Sequence, residues 1–561
     1  MFASSLYTAR IGMNDIKKVV VSTIESPPTT ILGILSRLGP GMIIAGSIVG
    51  SGELIATTST GSQSGYWLLW LILLGCVIKV FVQVEFGRFS ICTGLSTMEG
   101  LNQIPGPKFS LPGSKSSVSV SWIIWYWVLM FMASTGQLGG IVGLVGQSLA
   151  MSAPITRLGS LEDQYGQAEV QLKIVAARLR TLPESGKGGN EEAELKTKEK
   201  KWKEVESRLA LELSSYGPLR MEKKPSESEG KRIIRSRDDI YWSLVVTVIT
   251  SLLLVIGRYW LIQTVTTWLV AGFTVVTVLA VATLQWLPEF SMTSADLLHG
   301  LSFRLPPSPE YDSQKALSNA LATFGIIGVG AAELIAYPYW CLEHGYARYA
   351  GANDQSPSWF ARAIGWLRVM RWDAWCSMFV YTIATAAFYI LGAATLGKFK
   401  LDVAGADIVR TLMAMYEPVF GFLAGPIFLI GAFAVLYSTF FVASAGNARI
   451  VSDAMAVVGI ASREEKASRS RVVFLSGLFP VLSFLILVGF KSPKDLIMLS
   501  GLMQAIMLPM LAFAGLYFRW KRCEAKVAPG RLWDIFLIVS SLGMLASGAC
   551  AAYVELSKLY K

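Results

Sequence analysis

Two glutamates carry the clearest chemistry in this sequence. Val49-Gly-Ser-Gly-Glu-Leu-Ile-Ala56 reappears as Val329-Gly-Ala-Ala-Glu-Leu-Ile-Ala336, with six of eight positions identical and the other two small in both copies. Gly65-Tyr66 and Gly345-Tyr346 continue the match in the same register. Both copies lie in apolar stretches, and an ionised carboxylate facing lipid costs at least about 2.5 kcal/mol, so Glu53 and Glu333 are expected to face inward. Two carboxylates converging in a low-dielectric cavity repel, so either a cation sits between them or one holds a proton. Hard oxygen ligands suit Mg²⁺, Mn²⁺ or Ca²⁺, and the repeat offers no thioether or thiolate for a softer metal.

The elements that must hold these carboxylates are membrane helices. The chain has 561 residues, 53% of them hydrophobic and 16% charged, with mean hydropathy +0.49. Its apolar runs are long enough to cross a hydrocarbon core of about 30 Å, and helices are required there because lipid offers the backbone no partners. A sliding window gives about eleven spans, centred near residues 47, 78, 132, 249, 274, 328, 384, 432, 481, 507 and 544. Five spans separate the two copies of the repeat, so the copies cross the membrane in opposite directions, as in an inverted-topology repeat of five plus five helices. The small residues Gly46, Gly50, Ser51 and Gly52, answered by Gly325, Gly328, Gly330, Ala331 and Ala332, weaken both helices. Glycine costs about 1 kcal/mol relative to alanine in a helix, so helices one and six are expected to be discontinuous. Freed carbonyls around Gly50 and Val329 would then join Glu53 and Glu333 as ligands. Ser51, Gly52, Gly330, Ala331, Ala332, Leu334, Gln137 and Gln504 would line the cavity. Close packing accounts for the glycines alone, but not for a matched pair of intramembrane acids.

The expected organisation is a cytoplasmic N-terminal segment (1–35), helices one to three (36–155), a charged helical hairpin (156–239), helices four and five (240–290), helices six to ten (315–520), and an eleventh helix with its tail (530–561). In the hairpin, Val170, Ile174, Val175 and Leu179, then Leu195, Trp202, Val205 and Leu209, recur at helical spacing around the breaker PESGKGGN. It is read as projecting on the outer side, either as a solvated spacer or as a protein contact. Arg10, Lys17 and Lys18, with Arg348, Arg362, Arg368, Arg371, Arg449, Arg463, Lys466, Arg469, Arg471, Arg519, Lys521, Arg522, Lys526 and Arg531 after even-numbered spans, put the N-terminus in the cytoplasm of a plasma or inner membrane. The start of the chain shows no short apolar core of a cleavable signal. The six cysteines (Cys76, Cys92, Cys341, Cys376, Cys523 and Cys550) show no CxxC spacing and suggest neither disulfides nor a zinc site. The net charge of +11 comes without the basic stripe and interleaved aromatics of a nucleic-acid binder.

Outside the hairpin, nearly the whole chain resembles the natural resistance-associated macrophage protein (Nramp) family of metal transporters, which share the leucine-transporter fold. Gly39-Pro40-Gly41 looks like the family's Gly-Pro-Gly, Gly65-Tyr-Trp-Leu-Leu-Trp70 looks like its entry to span two, and Leu508-Pro509 sits like its Leu-Pro-Phe. The site departs from the pattern. Gly50-Ser51-Gly52-Glu53 stands where the family carries Asp-Pro-Gly-Asn, and Ala332-Glu333-Leu334 where it carries Met-Pro-His. Ser134, Thr135 and Gln137 fall near the family's acidic proton path, and none of them titrates. The resemblance implies a divergent branch, similar in spirit to Nramp-related magnesium carriers that lack the methionine.

The expected function is secondary transport of a divalent cation by alternating access, with the metal as substrate and no resident cofactor. The alternative is a proton- or cation-coupled carrier of a small organic cation or amino acid. A transporter-like receptor that signals through the hairpin is a third reading. No nucleotide loop, nucleophile with its base, or metal-hydrolase motif points to an enzyme. Among lone residues, His344 and His299 read as loop or packing groups, Glu85 and Arg88 as a local helix pair, and Gln504 equally as a cavity or an interhelical residue.

Overall fold

The computed structural model describes residues 24–110, 119–182, 189–216, 220–222, 231–233, 236–257, 259–307, 311–399, 401, 403, 408–490 and 492–559. Arg10, Lys17, Lys18 and most of the hairpin's breaker lie outside them.

The chain is a bundle of helices. The first apolar segment comprises α1 (Pro40–Ile48), a π-helical turn (Gly52–Thr57) and α2 (Thr58–Ser64). α3 (Leu69–Thr93), α4 (Trp122–Ser134) and α5 (Gly136–Ser152) follow, then the hairpin helices α6 (Arg157–Thr181) and α7 (Asn190–Ser214), and α8 (Asp238–Ile256) and α9 (Tyr259–Leu284). The second half runs through α10 (Ser313–Ile326), α11 (Ala331–His344), α12 (Pro357–Leu391), α13 (Ala424–Val457), α14 (Glu465–Gly489), α15 (Pro493–Tyr517) and α16 (Arg531–Leu559). Their boundaries carry ordinary end signals. Thr156 caps α6 on the Gly159 amide, Ser356 caps α12 ahead of Pro357, and Gly94 closes α3 at φ +72°.

Among the described residues, nine helical runs are long and apolar enough to cross a membrane, and a tenth is the pair Pro40–Ile48 and Gly52–Ser64, bent by 42°. α9 occupies the place expected of the fifth span, with Val270–Leu284 as its described apolar part. Burial sorts the bundle into two shells. The apolar windows of α3 and of the α10–α11 pair are 78% and 89% buried, whereas those of α8 and α14 are only 28% and 33% buried. The outer helices expose apolar faces instead: Leu244, Val248, Leu252 and Val255 on α8, and Phe474, Leu482, Leu485 and Val488 on α14. Such faces are stable against lipid, which identifies an integral membrane protein.

α6 and α7 pair antiparallel. Leu161 packs with Leu209 and Leu213 at one end, and Val175 and Leu182 with Leu195 at the other. Glu192–Lys196, Glu194–Lys198 and Glu199–Lys203 ion pairs decorate the solvated side of α7. The pair is tied to the bundle by the Asp163–Arg410 ion pair at 2.7 Å. Two short antiparallel ribbons, Lys108–Ser110 with Ser119–Ser121 and Arg220–Glu222 with Lys231–Ile233, are additions that the all-helical reading did not anticipate.

Candidate functional site

Both copies of the repeat fall on helix breaks. α1 ends at Ile48, with Val49 as its cap, and its last carbonyls, Gly46 and Ser47, accept the hydroxyls of Ser438 at 3.0 Å and Thr439 at 2.7 Å from α13. α10 ends at Ile326, with Ile327 as its extended cap, and Gly328 turns the chain at φ +56°, a conformation that glycine adopts without strain. α11 then begins after Gly330. Glu53 and Glu333 each sit in the first turn after a break, at the positive end of a half-helix dipole. The two broken segments touch through a Thr60–Thr323 hydroxyl pair at 2.9 Å.

The glutamates lie within electrostatic range of each other but have different surroundings. Glu53 is fully buried. Its carboxylate accepts the Gly50 amide, the Gly328 amide and the Thr385 hydroxyl, all at 3.3 Å. Glu333 instead lines a cavity of about 30 Å³ with Gln137, Gln504, Asn447, Thr439, Ser134 and Thr135 among its neighbours. A polar chain crosses beside it. Gln137 Nε2 donates to Ser51 at 3.2 Å, Gln504 Nε2 donates to Gln137 Oε1 at 2.7 Å, and the Ala332 amide donates to Gln504 Oε1 at 3.2 Å. It links the first break to the second through α5 and α15.

Of the residues singled out in the sequence, Glu333, Ala332, Gln137, Gln504, Ser134 and Thr135 line this cavity. Glu53, Ser51, Gly52, Gly50, Val329, Gly330, Ala331 and Leu334 are not among its lining residues. The expectation of a freed carbonyl at Gly50 is corrected, since that oxygen accepts the Leu54 amide at 2.9 Å and opens the helical ladder that follows the break. Val329 is fully buried between Gly328 and Gly330. The glycines also serve close packing. A Cβ on Gly50 would collide with the Thr439 hydroxyl, and one on Gly325 with the Gly501 carbonyl.

Sequence reasoning missed Lys79, Thr385, Asn447 and Asp373. Lys79 Nζ donates to the Phe324 carbonyl at 2.5 Å and the Ile327 carbonyl at 2.8 Å, capping the end of α10. The signal was present, because Lys79 is a lone charge inside Leu73-Leu-Gly-Cys-Val-Ile-Lys-Val80. Asp373 on α12 accepts the Gly39 and Gly41 amides and the Tyr337 hydroxyl, joining the start of α1 to α11. The histidines lie elsewhere: His299 stacks on Trp67 at 4.5 Å and His344 meets Tyr346 edge-on at 5.1 Å. Glu85 and Arg88 form a buried pair at 3.1 Å, with Trp533 also donating to Glu85. Among the described residues, no group of three or more His, Cys, Asp or Glu gathers, so any ion at this site must draw on amide, hydroxyl or backbone oxygens. A larger cleft of about 930 Å³ between the hairpin and α13 involves Lys198, Trp202 and Phe422 and is lined by neither Glu53 nor Glu333.

Two broken helices packed against each other inside a shell of lipid-facing helices define a transporter-type membrane fold. Comparisons with known proteins agree. The chain matches a variant of the manganese transporter of Eremococcus coleocola with TM-score 0.55 and 12% identity, over 96% of this chain and 95% of that one. In sequence it is 26% identical over 147 residues to the divalent metal cation transporter MntH of Caldanaerobacter subterraneus, covering 24% of this chain and 32% of the relative. It is 35% identical over 69 residues to MntH of Mycobacterium tuberculosis, covering 12% and 16%. The matched stretches thus span about a third or less of these curated relatives. No family model matches the chain. The resemblance to the Nramp family read from the motifs holds, and the chain shares the fold of the manganese transporter of Eremococcus coleocola.

Proposed function

We propose that the protein is a secondary carrier of divalent metal cations, working by alternating access with its N-terminus in the cytoplasm. The observation that carries this reading is the pair of carboxylates, Glu53 and Glu333, in the first turns of two half-helices at equivalent positions of one repeat. Broken helices of this kind hold ions in transporters because half-helix ends and unwound backbone supply charge and oxygen atoms inside the membrane. The relatives' descriptions as divalent metal cation transporters, and the structural match to a manganese transporter, support the substrate class.

The cavity chemistry points the same way. Glu333, Gln137, Gln504, Asn447 and Thr439 offer hard oxygen donors, which suit Mg²⁺ and Mn²⁺ better than soft metals. Its volume of about 30 Å³ admits a dehydrated ion and is far below the ~300 Å³ at which organic ligand pockets begin. This disfavours an amino acid or organic cation. In the loaded state Glu53 would exchange its three long hydrogen bonds for the metal, loosening the tie between the breaks as the cation arrives. Titration calorimetry of the purified protein with Mn²⁺ and Mg²⁺ tests the site. Glu333→Gln should abolish the binding heat, and an unchanged isotherm in that variant would overturn the assignment.

A further inference from the structure

Lys79 takes no part in the chemistry assigned above. It lies on α3, fully buried, at the level of the helix breaks. Two of its N–H bonds go to the Phe324 and Ile327 carbonyls, and its nitrogen sits 4.9 Å from the centre of the Phe324 ring. Carbonyls and an aromatic face are the partners of an ammonium ion, which has three donors and no acceptor. Those carbonyls end α10, where the half-helix dipole is negative. Lys79 is also in electrostatic range of Glu333 and Glu53.

In carriers built on broken helices, the C-terminal end of a half-helix and the unwound carbonyls beside it are where a coupling Na⁺ or H⁺ is held. Here a side chain from the neighbouring helix occupies that place. We propose that Lys79 is a tethered cation that substitutes for a co-transported monovalent ion. It caps α10, offsets one of the two carboxylate charges, and lets the carrier run without sodium or proton coupling. A divalent substrate moved without a co-transported or exchanged ion carries two charges across the membrane per turnover. The proposal rests on the transport reading, but its first test does not.

Lys79→Ala empties the place, and Lys79→Arg keeps a tethered cation. Thermal midpoints are compared in detergent at constant ionic strength, replacing N-methylglucamine stepwise with Na⁺, K⁺ or methylammonium. Lys79→Ala should be stabilised saturably by at least one of these small cations, as expected for an ion that binds only the folded state, while the wild type and Lys79→Arg do not respond. In proteoliposomes, Mn²⁺ uptake by Lys79→Ala should fall about 10- to 100-fold, the range for lost support of a metal site, and should recover with the same small cation. A Lys79→Ala protein that is destabilised yet indifferent to every small cation would overturn the proposal and leave Lys79 a structural tie. Should that variant not fold, the wild type decides: Mn²⁺ flux driven by an imposed Na⁺ or proton gradient contradicts a built-in cation, and flux that follows membrane potential alone supports it. Absence of any metal flux in the wild type would count against the transport reading, while the thermal measurement still judges Lys79.

Discussion

Glu53 accepts the amide N–H of Gly328 at 3.3 Å across a sequence separation of 275 residues. The same carboxylate holds the Gly50 amide, so one side chain joins the two helix breaks. Glu53→Gln leaves a single acceptor oxygen and turns an N–H₂ group toward amides that also donate. That change should cost about 2 kcal/mol, the scale of a lost hydrogen bond to a charged group, and lower the thermal midpoint in detergent. Glu333→Gln, whose side chain faces the cavity, should lose metal uptake with its midpoint unchanged. Equal destabilisation by the two variants would contradict the unlike roles of the glutamates.

Gly50 lies against α13 so closely that an added methyl group would strike the Thr439 hydroxyl. Gly50→Ala should therefore destabilise the protein by about 1–3 kcal/mol, as overpacking does. Thr439→Ala removes the atom that would be struck. The double variant should be more stable than the sum of the single effects implies, and strict additivity in thermal unfolding would contradict the contact.

Asp373 anchors the start of the first broken helix to the second. It is fully buried and holds the Gly39 amide at 3.0 Å and the Tyr337 hydroxyl at 3.1 Å, besides the Gly41 amide. Asp373→Asn should cost about 2–3 kcal/mol, and Tyr337→Phe about 1 kcal/mol, because the first weakens charge-assisted bonds to two amides and the second removes one hydroxyl. Thermal unfolding of the two variants checks the order.

The hairpin is held by Asp163 on α6, which pairs with the nearly buried Arg410. Asp163→Asn removes the carboxylate counter-charge, at a cost of about 2 kcal/mol; a fully buried pair would lose more, but Asp163 is 30% exposed. Hydrogen exchange along α6 should accelerate, with metal uptake retained. Unchanged exchange would show that the pair does not hold the hairpin.

Much of this was legible in the sequence. The glycine clusters mark where α1 and α10 stop, and the shared Glu-Leu-Ile-Ala of the two copies marks where each carboxylate sits. Val175, Leu195 and Leu209 are buried in the hairpin as their helical spacing requires, while Val170 and Ile174 pack into the main core. What the sequence hid arises from tertiary contact. A symmetric repeat offers no way to tell Glu53 from Glu333, whose difference comes from Thr385 and Gly328 on one side and Gln137 and Gln504 on the other. Asp373 finds its amides 332 and 334 residues away, a separation without local signature. Lys79 was a visible lone charge in an apolar run, and its meaning appears only once the end of α10 lies beside it.

The most direct test of metal transport is uptake of Mn²⁺ and Mg²⁺ into proteoliposomes of the purified protein, wild type against Glu333→Gln. Saturable uptake of either ion by the wild type, absent in the variant, is the expected result. Wild-type vesicles that take up neither ion, or a variant that transports as well as the wild type, would contradict a divalent carrier built around these carboxylates.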